Sequence, residues 1–113
     1  VNDKLGTPTY THDFAANVKL LIEKGERGLF NMVCKGLTSR LEVATELVKL
    51  LELQNEINII EVDSNYFIEE YFAERPDCER LINKNLDDLK CNIMRDWKVA
   101  LKEYIHDYYS FYL

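Results

Sequence analysis

Gly28-Leu29-Phe30-Asn31-Met32-Val33-Cys34-Lys35-Gly36-Leu37-Thr38-Ser39-Arg40-Leu41-Glu42 is the stretch that decides the fold class. The apolar run from Leu29 to Cys34 is too short for three helical turns and is flanked by glycines, which favours a buried strand. Lys35-Gly36 closes it. Ser39 and Glu42 then form a capping box, in which a hydroxyl and a carboxylate each satisfy a free N–H at a helix start. Ala44, Leu47, Val48 and Leu51 carry that helix on one face to about Leu53. A strand leading into a capped helix is the unit of an α/β chain.

Upstream, Phe14, Ala15, Val18, Leu21 and Ile22 recur on one helical stripe, so a helix is expected from 12 to 24. Asp13 suits its first turn, and Gly25 can take the left-handed conformation that ends it. Thr7 to Thr11, β-branched and aromatic with a proline near the front, reads as a short strand or extended lead-in. Downstream, Asn58-Ile59-Ile60-Glu61-Val62 reads as a third short strand. The acidic, aromatic segment from Asp63 to Glu74 fits a helical turn and a loop, ended by Arg75-Pro76, because a residue before proline is pushed out of the α region. Leu81-Ile82-Asn83 is a brief extended piece, and Asn83 can cap a short helix carrying Leu86 and Leu89. Trp97, Ala100, Leu101, Tyr104, Ile105 and Tyr108 share one stripe of a last helix. Three short strands and four helices are too few to cover both faces of a sheet. Some strands are therefore expected to belong to a larger body, and a chain that opens at Val1 in extended structure reads as a fragment.

With 14 Lys plus Arg against 20 Asp plus Glu, the 113 residues carry a formal charge of −6, and no basic run offers a nucleic-acid interface. Hydrophobic residues at 47% exclude a disordered acidic tail. No apolar stretch approaches bilayer length, and no export signal opens the chain. Cys34, Cys78 and Cys91 are odd in number with no C-x-x-C pair, which fits a reduced, cytoplasmic setting. His12 and His106 lie in no ligand spacing, so no metal site is expected. Neither a glycine-rich dinucleotide motif nor a Tyr-x-x-x-Lys pair occurs, so no catalytic or cofactor-binding residue is assigned to this chain.

Among individual residues Arg75 stands out, because a guanidinium beside a rigid proline can present a planar fork to a phosphate or carboxylate. From spacing alone, a surface arginine paired with Glu74 or Asp77 is the stronger reading. Tyr66, Phe67, Tyr71 and Phe72 suit core packing better than a pocket for a sugar or base. The aromatic end from Tyr108 to Leu113 either packs on another body or continues the helix stripe.

Taken in order, Gly6 to Ala15, Gly28 to Asn31, Gly36 to Ser39, Glu74-Arg75-Pro76 and Arg95 to Leu101 resemble the C-terminal part of dTDP-4-dehydrorhamnose reductases, extended short-chain dehydrogenase/reductases. The resemblance covers about residues 3 to 106. It implies that residues 1–113 are a single α/β substrate-binding region whose N-terminal Rossmann half, absent here, binds NADPH and holds the catalytic tyrosine and lysine. The family reduces the 4-keto group of a dTDP-6-deoxy-hexulose to give dTDP-L-rhamnose, a precursor of surface polysaccharide. In related nucleotide-sugar enzymes an arginine matching Arg75 faces the substrate diphosphate, and the resemblance makes Thr9 and Tyr10 weaker candidates near the sugar or cofactor end. It implies three partners: the dTDP-sugar, the N-terminal half and, in some members, a second copy of the chain. Some members bind magnesium at a subunit contact through glutamates that have no identifiable counterpart in this sequence. Arg40 and Glu79 depart from the tryptophan and serine common at those positions. The lack of a second arginine near Gly6, usual in the sugar epimerases, favours a reductase over an epimerase, and an epimerase or dehydratase of the same superfamily stays as an alternative. A non-catalytic reductase-like regulatory subunit and an unrelated α/β interaction module are the remaining alternatives.

Overall fold

In the computed structural model, which describes residues 1–70 and 73–112, helix α1 spans Thr11–Glu23 and ends on Gly25 in the left-handed region at φ 67°. The buried face of α1 is not the expected apolar stripe. Asp13, Asn17 and Leu21 point inward, whereas Phe14 is 45% and Ile22 72% exposed. The inward polar groups are held by partners remote in sequence. Asn17 Nδ2 donates to the Cys91 carbonyl at 2.8 Å, and its Oδ1 accepts from Ile93 N at 3.0 Å. Its amide thereby substitutes for a neighbouring backbone, satisfying groups that would otherwise be buried without partners.

The run from Leu29 to Cys34 alternates like a strand, with Met32 and Cys34 buried and Leu29 exposed, yet it joins no sheet. Side-chain amides take the place of a neighbouring strand. Val33 N donates to Asn83 Oδ1 at 2.9 Å, Asn83 Nδ2 donates to Val33 O at 2.8 Å, and Asn85 Nδ2 donates to Leu29 O at 2.8 Å. The expected strand at 58–62 is likewise extended but unladdered. Its backbone is tied to the start of the chain where Asn2 N donates to Val62 O at 3.0 Å. The strands that do form are two residues each: β1 (Leu5–Gly6) pairs antiparallel with β2 (Thr38–Ser39), Leu5 opposite Ser39. Thr7 to Tyr10 leads on from β1 as extended chain outside the sheet. Alternation in these runs signals which side is buried, and pairing needs a neighbour that the local sequence does not name.

Helix α2 (Arg40–Leu50) starts on Ser39, whose Oγ accepts from Glu42 N at 3.2 Å. Only half of the expected box forms, because the Glu42 carboxylate turns to the Thr38 hydroxyl at 2.7 Å and to Lys98 Nζ at 3.4 Å. The Thr38 bond holds that carboxyl below its usual range, against the opposing effect of partial burial. The helix stops before Leu53, where Glu52 is left-handed at φ 58°. Helix α3 (Lys84–Asp88) follows Asn83, whose side chain does not cap it because its amide is committed to Val33. Helix α4 (Trp97–Tyr109) is capped by Asp96, Oδ1 accepting from Lys98 N at 2.9 Å, and continues as a 3-10 turn over Ser110–Tyr112. The aromatic end thus extends α4.

Leu21, Met32, Cys34, Leu86, Cys91, Met94, Trp97 and Ala100 form the core. It lies where α1, the 29–34 run, α3 and α4 meet. The whole measures 47 × 38 × 18 Å with a radius of gyration of 16.7 Å, against about 13 Å for a compact domain of about 100 residues. This is a slab barely two helix diameters thick. Among the described residues no helix is long and apolar enough to cross a membrane.

Candidate functional site

The segment from Val1 to Tyr10 organises one face of the molecule. Asn2 bonds to Val62, Asp3 Oδ1 and Oδ2 accept from Ser64 N at 2.9 Å and Ser64 Oγ at 2.8 Å, and Leu41 N donates to Val1 O at 3.2 Å. Leu5 N donates to Asp77 O and Glu79 N to Leu5 O, both at 2.8 Å, so the chain after Pro76 runs beside β1, Cys78 forming a parallel bridge with Leu5. Lys4 Nζ reaches across to Asp77 Oδ1 at 2.7 Å and to the Arg75 carbonyl at 3.0 Å. Arg75 therefore sits on a loop held by β1, with its side chain exposed. The expected pairing with Asp77 is not made, because Asp77 is bonded to Lys4. Among the described residues, no carboxylate pairs with the Arg75 guanidinium.

The same extended segment carries Thr9 and Tyr10 to the start of α1. Thr9 is exposed, and its Oγ1 accepts from Cys34 N at 3.4 Å. Tyr10 is half-buried, its N–H directed at Cys34 Sγ at 3.5 Å and its ring stacked on His12 with centroids 4.8 Å apart. His12 lies between two phenols: Nδ1 is 3.1 Å from Tyr10 Oη and Nε2 3.0 Å from Tyr108 Oη. Tyr104 meets Tyr10 edge-on at 6.0 Å. Burial, together with Tyr108, Glu103 and other nearby groups, raises the Tyr10 phenol above its ordinary value. Its hydroxyl stays protonated and serves as a hydrogen-bonding group. Burial also raises the Cys34 thiol, so Cys34 acts as a packing residue.

No hydrogen bond or ion pair joins Arg75 to Thr9 or Tyr10 among the described residues; their link is the chain from β1 to α1. Of the aromatic candidates, Tyr66 is 71% exposed on a 3-10 turn (Ser64–Phe67), with Phe67 edge-on at 5.0 Å, so Tyr66 does not take the core position expected of it. Tyr71, Phe72 and Leu113 lie outside the described residues. Among the described residues no group of three or more His, Cys, Asp or Glu could hold a metal ion. Nor does a glycine turn make a cradle for a pyrophosphate. Gly6 lies in β1 opposite Thr38, and the open side of Gly36 is filled by Trp97, 2.8 Å from where a Cβ would stand.

A family model described as the RmlD substrate binding domain matches residues 1–110. The chain belongs to this family. The RmlD domain superimposes with a TM-score of 0.86 on a dTDP-4-dehydrorhamnose reductase from Clostridium acetobutylicum ATCC 824, at 34% identity over 94% of this chain. A dTDP-4-dehydrorhamnose reductase from Yersinia enterocolitica gives a TM-score of 0.80 at 25% identity over 93% of this chain. The Bacillus anthracis str. Ames reductase, solved in complex with NADP, gives 0.80 at 21% identity over 95% and shares the fold. This RmlD domain spans 36% of the length of each of the three. No curated protein sequence matches it significantly.

Sequence reading missed Lys4, gave Asp77 to Arg75 instead of to Lys4, and saw His12 without its tyrosine partners. No local pattern marks Lys4, whose partner carbonyl is 71 positions away. His12 bridges to Tyr108 across 96 positions.

Proposed function

We propose that this RmlD domain is the substrate-binding part of an NADP(H)-dependent reductase of dTDP-4-keto-6-deoxy sugars, acting in the cytoplasm in the making of dTDP-L-rhamnose for surface polysaccharide. In this reading residues 1–113 are the C-terminal region of a longer chain. The nucleotide-binding half ahead of it holds NADPH and supplies the tyrosine and lysine of hydride transfer. Bound there, NADPH supplies the hydride that reduces the C4 keto group. The residues of this domain bind and orient the sugar nucleotide. Arg75 holds the diphosphate in its planar fork, and Thr9 and Tyr10 line the sugar or cofactor end. Tyr10 contributes only the part of its half-buried ring turned away from His12, since its N–H is engaged by Cys34 and its hydroxyl and one ring face by His12.

The observation that carries this reading is the Arg75 side chain, exposed on a loop held from β1, with no carboxylate partner among the described residues. A free guanidinium on a fixed backbone is what recognition of a diphosphate requires. The family match and the slab shape, with Phe14, Ile22 and Leu29 uncovered, support a domain that works beside another. The test is Arg75→Ala in the full-length reductase. KM for the dTDP-sugar is expected to rise about tenfold with kcat little changed, the loss of one charge-assisted hydrogen-bonding group. An unchanged KM removes Arg75 from the site.

A further inference from the structure

We propose that Lys4 is a positioning residue for Arg75, fixing the loop from which the guanidinium meets the substrate diphosphate. The proposal rests on the reading of Arg75 as the diphosphate ligand and adds the group that sets its geometry.

Three restraints converge on the Arg75–Asp77 tripeptide. The proline ring fixes φ at Pro76. Backbone bonds from Leu5 N to Asp77 O and from Glu79 N to Leu5 O, each 2.8 Å, hold the chain after it against β1. Before Pro76 the Arg75 carbonyl accepts from Lys4 Nζ at 3.0 Å. The same ammonium bonds Asp77 Oδ1 at 2.7 Å, so one lysine clamps both sides of the proline. A compact ammonium with three donors suits this double duty. Its side chain is 27% exposed while that of Asp77 is 91% exposed, so the lysine forms the inner member of the pair. The Asp77 bond raises the Lys4 pKa above its ordinary value. It also occupies the acidic group nearest Arg75 in sequence after the proline, which keeps that carboxylate from competing with the phosphate.

Steady-state kinetics of the full-length reductase with its dTDP-sugar test this through Lys4→Met, Lys4→Arg, Arg75→Ala and the Lys4→Met/Arg75→Ala double variant. Lys4→Met is expected to raise KM about fivefold with kcat within about twofold, the scale of a partly exposed ionic clamp. Lys4→Arg, which keeps charge and donors, should recover most of that. The double variant should match Arg75→Ala alone, because a clamp with nothing to aim has no effect left to lose. Asp77→Asn breaks the ion pair but leaves the Lys4 bond to the Arg75 carbonyl, so it should raise KM by less than Lys4→Met does; if Lys4→Met proves unstable, Lys4→Gln, which loses the charge, takes its place and should raise KM in the same direction. A normal KM in Lys4→Met alongside a raised KM in Arg75→Ala overturns the positioning role and leaves the diphosphate reading standing. A normal KM in Arg75→Ala overturns both. Multiplying effects in the double variant also overturn it, making Lys4 a direct phosphate contact.

Discussion

Arg95→Met is expected to destabilise the domain by about 3 kcal/mol, a large share of the roughly 5–15 kcal/mol that holds a typical domain together. Arg95 closes a fork on Asp13: Nε lies 3.0 and 3.2 Å from its two carboxylate oxygens and Nη2 2.7 Å from Oδ1. Nη2 also reaches Glu103 on α4, and these bonds, to Asp13 first, drive the guanidinium pKa further up. The Asp13 side chain is only 7% exposed, so removing Arg95 leaves a carboxylate with little access to water and no cation. The arginine itself is 40% exposed, which places the effect near the lower end of the range for buried pairs. Chemical denaturation followed by circular dichroism measures the loss. Asp13→Asn in the Arg95→Met background should restore part of it, since the unpaired charge is then gone. A loss under about 1 kcal/mol would class the pair with ordinary surface bridges and refute the argument.

Gly36→Ala should cost a similar amount, about 3 kcal/mol, from backbone strain and overpacking together. Gly36 sits at φ 99°, where an L side chain is strained, and an added Cβ would stand 2.8 Å from Trp97 Cδ1 and 3.1 Å from Asp96 Oδ2. Trp97 is 3% exposed and cannot swing into solvent. Nor can the backbone retreat. Lys35 N donates to Arg95 O at 2.9 Å, Trp97 N donates to Lys35 O at 3.1 Å, and the Thr7 hydroxyl bonds the Gly36 carbonyl. Gly25→Ala is the control: φ is 67° but nothing lies within 4 Å of the added carbon, so only strain of about 1 kcal/mol applies. Equal losses at the two positions would show that the contact with Trp97 contributes nothing.

These two sites also show what could be read from the sequence. The four helices were legible because periodicity and caps are local: Ser39 and the left-handed Gly25 act within a few residues of themselves. The partners of the Asn17 amide and the arginine partner of Asp13 lie 74 to 82 positions away, so nothing local reveals that these polar residues face the core and Phe14 and Ile22 do not. The run at 29–34 misled for a related reason. Its alternation reports burial correctly, while its backbone is satisfied by the amides of Asn83 and Asn85. Arg75 was visible as a residue type beside a proline. Its freedom from Asp77 was not, because that depends on Lys4. Among the stretches that carried the family resemblance, Asp13, Gly36, Arg95, Asp96 and Trp97 fasten the segments to one another. They make the fold recognisable without marking the ligand.

Because the first helix turns Asp13, Asn17 and Leu21 inward and leaves Phe14 and Ile22 outside, solubility and folding are separable in this molecule. An engineer seeking a freestanding version could repaint the outer surface without touching the fastenings. Phe14→Lys with Ile22→Glu should lower the 113-residue polypeptide's uptake of a hydrophobic dye and its light scattering, with the helical dichroism preserved. Collapse of the helical signal would mean that those side chains support the helix from outside.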